Sequence, residues 1–234
     1  MSDQAKTSQR PADVYFFATC VVDQFFPGAG LDAITLLERQ GIRVHFPEEQ
    51  TCCGQPAYTS GFPDEARKVA AHQLTLFPEN WPVVVPSGSC AGMMKHHYPT
   101  LFAKDPARLS QAEALSGRIY EFTDFLVNVL GYQPEDTGSD CTVVLHTSCS
   151  ARREMGVHLT GRQLLGNLKK VKVAQQDHES ECCGFGGTFS IKQPEISGAM
   201  VEDKVKALKA TGAERVVSAD CGCLMNILGH AAWK

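Results

Sequence analysis

Short apolar runs alternate with amphipathic segments along most of the chain, which is the pattern of an α/β protein. The runs 13-DVYFFATC-20 and 142-TVVLHTSC-149 are rich in β-branched and aromatic residues. Each therefore predicts a buried strand that leads to a cysteine. Apolar residues at helical spacing follow both runs, at 29–42 and 157–171. The same order of elements in two places predicts two similar units.

Each unit continues with a strand, a helix and a closing strand, predicted at 42–47, 64–77 and 83–90 in the first unit and at 171–175, 195–212 and 214–223 in the second. Strands joined through helices pair in parallel. We therefore predict an α/β fold of two tandem, pseudo-symmetric units with parallel sheets. A helix followed by a linker rich in Pro, Gly and Asp at 121–140 predicts domains at 13–138 and 139–234, after a disordered N-terminus at 1–12.

The cysteines show the repeat most clearly. A lone cysteine, an adjacent pair followed by glycine, and a final cysteine recur at offsets of 129 to 133 positions: Cys20, Cys52, Cys53 and Cys90 in the first half, and Cys149, Cys182, Cys183 and Cys223 in the second. An internal duplication explains all of these matches. Ligand sites of parallel sheets lie beyond the carboxyl ends of the strands, so we expect the repeated cysteines to gather there.

Composition limits what these cysteines do. Hydrophobic residues make up 43% and charged residues 21% of the 234 positions, as in an ordinary soluble protein. The net charge of -4 excludes the basic surface that nucleic-acid binding requires. With no apolar run long enough for a bilayer and a polar start, the sequence predicts a cytoplasmic protein without a transmembrane segment. In that reducing compartment thiols are more often metal ligands or redox groups than disulfides.

Four thiolates in each half suit either an iron–sulfur cluster or tetrahedral zinc, and the ligand count does not separate them. The glycines at Gly184, Gly186 and Gly187 favour a cluster, because flexible backbone can place N–H groups around its sulfides. The alternative is a tight turn that simply requires glycine. Cys141 lies outside the repeat, and we interpret it as an ordinary small buried side chain.

The duplicated cysteine pattern resembles the cysteine-rich domain with the CCG signature. That domain occurs in heterodisulfide reductase, in an iron–sulfur component of glycolate oxidase and in anaerobic glycerol-3-phosphate dehydrogenase. The resemblance covers residues 13–230, and the string CCGFGGTFSIKQPEIS is most similar to the lactate-utilisation branch of the family.

The resemblance implies an oxidoreductase subunit of a multi-subunit system that oxidises L-lactate to pyruvate and passes electrons. It implies two sister subunits, one of them ferredoxin-like. It also implies clusters of the 4Fe–4S type, cubane or non-cubane, bound by the eight repeated cysteines. A zinc-stabilised scaffold and a thiol–disulfide oxidoreductase remain alternatives.

One departure from the family pattern concerns the last cysteine of each half. The fuller motif ends in C-x-x-C, whereas Ser87 and Asp220 stand at the first position of the two closing pairs. Cys221 is shifted by one position and is a candidate replacement in the second half. Oxygen ligation by Ser87 or Asp220 is the other candidate, so the cluster type stays open.

Other polar residues near the predicted site have two interpretations each. Arg152 and Arg153 suit a carboxylate ligand, although local ion pairing is the simpler interpretation. His146 is predicted to be a hydrogen-bonded core residue rather than a base. The adjacent histidines in 95-KHHYP-99 are predicted to face solvent rather than to bind a metal.

Overall fold

Two parallel sheets organise the part of the chain that the computed structural model describes, residues 10–232. The first sheet has the order β2-β1-β3-β4, with β1 at Asp13–Phe16, β2 at Arg43–His45, β3 at Val83–Val85 and β4 at Ile119–Glu121. The second has the order β6-β5-β7, with β5 at Cys141–His146, β6 at Val171–Ala174 and β7 at Arg215–Ser218. Every pair of neighbouring strands is parallel. The predicted fold class is confirmed.

Helices connect the strands and cover the sheets. The first half contains α1 (Cys20–Phe25), α2 (Pro27–Arg39), α3 (Gln55–Thr59), α4 (Pro63–Gln73), α5 (Gly88–Gly92), α6 (Tyr98–Leu101), α7 (Pro106–Ser116) and α8 (Phe122–Asp124), with π-helical turns at Met93–His97 and Phe125–Val129. The second contains α9 (Cys149–Met155), α10 (Val157–Gly166), α11 (Phe189–Lys192), α12 (Pro194–Ala210) and α13 (Cys221–Ala232). Successive strands of one sheet are thus always joined through a helix, as parallel pairing requires.

The centre of the first sheet is buried on both faces, which explains why its inner strands β1 and β3 are apolar at consecutive positions. Val14 and Phe16 of β1 point to one face, where they pack with Leu37 of α2. Tyr15 of β1 and Phe17, just after the strand, point to the other face, where they belong to a second apolar cluster that includes residues of α4 and α7. A strand covered on both sides has no solvent-facing row, so it shows a continuous apolar run rather than alternation.

The strand β4 is a difference between prediction and structure. The sequence predicts that the segment 121–140 begins with a helix, but Ile119–Glu121 forms a fourth strand and the helix after it passes into a π-helical turn. Three residues are too few to display a period of two, so the sequence pattern does not reveal such a strand. The second sheet has three strands, so the two units are similar without being identical.

Residues 1–9 and 233–234 lie outside the described part of the chain. The disorder predicted for residues 1–12 therefore concerns mainly residues that the structure does not describe. The domain limits at 13–138 and 139–234 stay predictions. Between residues 10 and 232, none of the helices has both the length and the apolar character that a membrane crossing demands.

Two of the helix pairs that join the halves bring the carboxyl ends of their strands to face each other. In each pair, α5 with α9 and α1 with α13, the helix after the first strand of one unit meets the helix after the third strand of the other. Gly88 makes the closer contact possible, because a Cβ atom there would lie 2.3 Å from the Cβ atom of Ala151. The N–H group of Gly88 also donates to the carbonyl of Ala219, at 3.0 Å.

Glu121 is a fully buried carboxyl group at the end of β4. One of its oxygens, Oε2, accepts hydrogen bonds from the N–H groups of Thr123 (2.8 Å) and Asp124 (3.1 Å). The Thr123 hydroxyl in turn bonds to the hydroxyl of Thr160 on α10, at 2.7 Å, which links the two halves. Burial raises the pKa of Glu121 from 4.5 to about 7, because desolvation outweighs these hydrogen bonds.

We expect the free energy of unfolding to fall as the pH rises through this range. A raised carboxyl pKa means that the folded protein binds the proton more tightly than the unfolded chain. This contribution is complete below the unfolded pKa of 4.5 and is lost as the pH rises through 7. Its full size is about 3 kcal/mol.

Urea unfolding of the wild type and of Glu121→Gln, at about pH 5 and about pH 8, measures this contribution. In Glu121→Gln, the free energy of unfolding should fall much less between the two pH values than in the wild type. In Glu113→Gln, on the exposed face of α7, it should fall as much as in the wild type. Equal pH dependence in the wild type and Glu121→Gln contradicts the expectation.

Candidate metal centre

The four repeated cysteines of the first half meet at the carboxyl end of their sheet. The Sγ atom of Cys53 lies 3.2 Å from that of Cys90. Cys52 accepts hydrogen bonds from the thiols of Cys20 and Cys53. Gly54 has a φ of 86°, and its N–H group donates to the Cys52 sulfur at 3.4 Å. The positive φ is the reason that glycine follows the pair, since it folds the backbone back onto the first sulfur.

The second half repeats this arrangement with its own four cysteines. The Sγ atoms of Cys149 and Cys182 are 4.0 Å apart, and Cys183 contacts both Cys182 and Cys223. Gly184 has a φ of 83° and donates its N–H group to the Cys182 sulfur, again at 3.4 Å. The structure therefore brings together the same two sets of four that the sequence predicts. Their role as ligands stays a prediction.

Helix starts present the lone cysteine of each set. Cys20 opens α1 and Cys149 opens α9, and the N–H groups of Val21 and Ser150 point at their sulfurs. Free N–H groups in the first turn of a helix favour a negative charge. These N–H groups act to lower the pKa of Cys20 and Cys149, but the neighbouring cysteine and burial raise both pKa values by more.

Side chains from a helical region hold the backbone of each adjacent cysteine pair. The hydroxyl of Tyr98 donates to the carbonyl of Cys53 at 2.9 Å, and the amide of Asn226 donates to the carbonyl of Cys183 at 2.7 Å. Each anchor comes from the helical region that follows the third strand of its unit. The second cysteine of each pair is consequently fixed against the region that carries the final cysteine of the same set.

The crowding of sulfurs shifts their protonation in a way that suits a cation. Hydrogen bonds from Cys20 and Cys53 lower the pKa of Cys52 to about 3. The hydrogen bond to Cys52 and burial raise the pKa of Cys20 well above its usual range, and the same kind of hydrogen bond to Cys52 is the leading cause of the raised pKa of Cys53. Hydrogen bonding among the thiols thus favours negative charge on Cys52 over Cys20 and Cys53, whereas a metal centre would hold all four sulfurs deprotonated.

Both cysteine sets line one cleft between the halves, with a volume of about 410 Å³. Nine cysteines border it: Cys20, Cys52, Cys53, Cys90, Cys149, Cys182, Cys183, Cys221 and Cys223. Cys141, the tenth, is the first residue of β5 and pairs with Val171 away from the cleft. Among the described residues the eight repeated cysteines and Cys221 therefore border the cleft, whereas Cys141 does not.

Comparison with known proteins identifies this architecture. The model of the cysteine-rich CCG domain matches residues 14–95 and again residues 143–228. The chain belongs to the CCG cysteine-rich domain family. The two matched segments contain one CCG turn each, at Cys52-Cys53-Gly54 and Cys182-Cys183-Gly184.

Several known proteins are similar to this one over nearly the whole chain. Lactate utilization protein A 1 of Bacillus mycoides (strain KBAB4) is 48% identical over 220 residues, which cover 93% of this chain and 89% of the relative. Lactate utilization protein A of Shouchella clausii (strain KSM-K16) is 47% identical over 93% of this chain and 91% of its own length. The protein of that name from Bacillus subtilis (strain 168) is 44% identical, with 94% and 92% covered.

The glycines after the second CCG turn have distinct surroundings. All three have positive φ, at 83° for Gly184, 50° for Gly186 and 62° for Gly187. Gly184 lies against α12, where a Cβ atom would be 2.7 Å from the carbonyl oxygen of Ser197. Gly186 and Gly187 line the cleft, and Gly187 faces Pro56 of the first half. The glycine loop therefore reaches across the cleft, and its contact with a cofactor stays a prediction.

Of the two residues at the missing CCG-family cysteine positions, Asp220 links the halves. Asp220 accepts hydrogen bonds from the N–H group of Ser89 (3.2 Å) and the hydroxyl of Ser148 (3.1 Å). Ser87 is buried and precedes the first turn of α5. Burial, together with the charges of Asp220 and Cys90, raises the pKa of Cys221 to about 11. Cys221 is thus close enough to the first set for Cys90 to act on it.

The two arginines behave differently. Arg152 forms an ion pair with Glu179 at 3.0 Å, which is the local pairing considered from the sequence. Arg153 lines the cleft and has no hydrogen bond or ion pair among residues 10–232. Its guanidinium is available to an anionic ligand in the cleft.

The neighbouring histidines contact the second half of the protein. His96 bonds to the carbonyl of Glu154 at 3.0 Å, and His97 lies 3.2 Å from the carboxylate of the same residue. His96 is exposed, as predicted, whereas His97 is half-buried. Through these contacts with Glu154 the two histidines join the halves.

His146 is the residue whose environment the sequence did not reveal. It is fully buried, as predicted, but neither ring nitrogen has a hydrogen-bond partner among the described residues, so the predicted hydrogen bond is wrong. A ring nitrogen and the sulfurs of Cys183 and Cys223 all lie within 4.8 Å of one another. Burial lowers its pKa to about 4, so the ring is neutral. His146 stands three residues before Cys149 in the sequence, and this short spacing indicates that it lies near the second set.

Proposed function

We propose that this protein is a cytoplasmic iron–sulfur subunit of a multi-subunit system that oxidises L-lactate to pyruvate. The observation that carries the proposal is the pair of four-cysteine sets that border one cleft. The names of its CCG-family relatives supply the substrate, since those proteins are called lactate utilization protein A. We infer that two sister subunits complete the system and that one of them is ferredoxin-like.

The openness of the site favours iron–sulfur clusters over structural zinc. Structural zinc sites are closed, with four ligands that surround the metal and exclude other molecules. Here the sulfurs border a cleft of about 410 Å³, in which an electron donor or acceptor can approach them. Zinc would also leave the duplicated sites without redox chemistry.

The chain's own residues would hold the two centres and shape the approach to them. A bound iron–sulfur cluster supplies one-electron transfer. Cys20, Cys52, Cys53 and Cys90 would bind the first centre, and Cys149, Cys182, Cys183 and Cys223 the second. Gly186 and Gly187 would cover the cleft side with backbone, and Arg153 would attract a carboxylate or an acidic partner surface.

Metal analysis of anaerobically purified protein tests this function. We expect iron and acid-labile sulfide in comparable amounts, visible charge-transfer absorption, and an EPR signal after reduction. Zinc that survives anaerobic purification and is not replaced by iron on reconstitution supports the scaffold alternative instead. Turnover of small disulfides by the isolated chain would favour a thiol–disulfide oxidoreductase.

The lactate assignment needs its own measurement. We expect lactate to reduce the clusters only when the sister subunits are present, because the described chain offers sulfur ligands rather than a flavin or nicotinamide site. Cluster reduction by lactate in the isolated chain would contradict the proposed division of labour. If lactate does not reduce the clusters of the loaded protein even in the presence of the sister subunits, the iron–sulfur assignment stands but lactate is not the substrate.

A further inference from the structure

The two cysteine sets differ in the side chain that lies behind them. His146 and Phe17 each stand three residues before the lone cysteine of their half, and both are fully buried. Phe17 packs in the apolar cluster that contains Cys53. His146 lies instead with a ring nitrogen near the sulfurs of Cys183 and Cys223. The duplication therefore places an apolar ring at one site and a hydrogen-bonding ring at the other.

The imidazole of His146 has unmet hydrogen-bonding capacity. A neutral ring carries one N–H donor and one acceptor nitrogen, and neither has a partner among residues 10–232. Leaving a buried polar group unpaired is costly, so such groups in folded proteins have a partner or a function. His146 does not border the cleft, whereas Cys183 and Cys223 do. The ring thus approaches the two sulfurs from behind, on the side away from the cleft.

A second difference points in the same direction. Lys204 is the eleventh residue of α12, and Gln73 is the eleventh residue of α4. Lys204 is buried, donates to the carbonyl of His178 at 2.6 Å, and is influenced by the charges of Cys182 and Cys183. The first half has a neutral amide at the corresponding position. At these two pairs of equivalent positions, the second half therefore has a ring N–H donor and a positive charge, whereas the first half has an apolar ring and a neutral amide.

We propose that, in the loaded protein, His146 donates a ring N–H to the thiolate of Cys183 or Cys223 and gives the second centre a higher reduction potential than the first. This inference rests on the proposed function. Hydrogen bonds to cluster sulfurs withdraw electron density and stabilise the reduced state, and nearby positive charge does the same. His146 is a positioning residue, since it acts through the cysteines, and electrons would reside on the second centre before the first.

Reciprocal variants at the two equivalent positions test this inference. His146→Phe copies the first half, and Phe17→His copies the second. Both are loaded anaerobically and studied by iron analysis and EPR-monitored redox titration. We expect His146→Phe to keep its iron, while the ratio of reduced to oxidised second centre at a fixed potential falls about tenfold, the effect of one charge-assisted hydrogen bond. Phe17→His should shift the first centre in the opposite direction.

Two controls separate the hydrogen bond from packing. His146→Gln retains an N–H donor and should restore much of the wild-type potential, and it also serves if His146→Phe does not fold. Phe17→Leu alters the packing at the first site without adding a donor and should leave both potentials unchanged. In the wild type with ¹⁵N-labelled histidine, pulsed EPR should detect a weak nitrogen coupling that His146→Phe abolishes.

The outcomes are distinguishable from a failure of the proposed function. Wild-type protein that takes up no iron overturns the function and this inference together. Normal iron with unchanged potentials in His146→Phe and His146→Gln overturns only the role of His146. Loss of the second centre's iron in both variants also overturns it, because His146 would then be a ligand rather than a hydrogen-bond donor.

Discussion

Replacing Cys183 with alanine is expected to remove about half of the iron from the loaded protein. Cys183 is the central member of the second set, in contact with both Cys182 and Cys223. Its removal leaves three thiolates and a gap at the buried side of the site. In the first set, Cys53 contacts Cys90, and Cys52 contacts Cys20 and Cys53. These contacts do not involve Cys183, so we expect the first centre to remain.

Matched variants make this expectation sharp. Cys53→Ala should remove the other half of the iron, since Cys53 is its counterpart at the first site. Cys141→Ala should retain all of it, because Cys141 lies in β5 away from the cleft. Iron and sulfide per chain, measured together with the EPR spectrum, identify which centre is lost. Loss of all iron in either Cys53→Ala or Cys183→Ala would show instead one centre shared across the cleft.

Gly88→Ala is expected to destabilise the protein by about 1–3 kcal/mol, because it forces apart two helices from different halves. The new Cβ atom would lie 2.3 Å from the Cβ atom and 3.2 Å from the Cα atom of Ala151. The Cα and Cβ atoms of Ala151 cannot move independently of the α9 backbone, so only a shift of a helix backbone relieves the contact. Gly88 is two residues from Cys90, so we also expect weaker iron retention at the first site.

Two other glycine substitutions serve as controls for Gly88→Ala. Gly92→Ala would meet the carboxylate end of Glu154 at 2.2 Å, and a flexible side chain can move away at lower cost. Gly198→Ala in α12 has nothing within 4 Å and should stabilise the protein by roughly 0.5–1 kcal/mol. Urea unfolding of the three variants measures the order. A Gly88→Ala variant as stable as Gly198→Ala would contradict the tight joint between α5 and α9.

The joint between the halves is also what creates the candidate site. Asp220 of the second half accepts a hydrogen bond from the N–H group of Ser89 in the first, and the hydroxyls of Ser60 and Thr188 form another hydrogen bond between the halves. Each half supplies four cysteines from its own strand ends, but the cleft that all of them border belongs to the pair. Both cysteine sets are therefore reached through one opening.

Much of the fold and of the candidate site was predictable because both follow from local patterns. Continuous apolar runs predict buried parallel strands, and glycine after each cysteine pair predicts the turn that φ values of 86° at Gly54 and 83° at Gly184 display. The short strand β4 was not predictable, since three residues at 119–121 carry no periodic signal. The broken helix after it has the same cause, because a π-helical turn leaves no distinct spacing.

The sequence by itself determined the two α/β units and the two sets of four cysteines, because strand ends and turns depend on neighbouring residues. Only the tertiary structure decided that both sets border one cleft and that Cys221 lies near Cys90 of the other half. It also decided that His146 is buried without a partner beside Cys183. These features depend on how helices from distant parts of the chain pack, and on the volume and hydrogen bonds left between them, which no local pattern encodes.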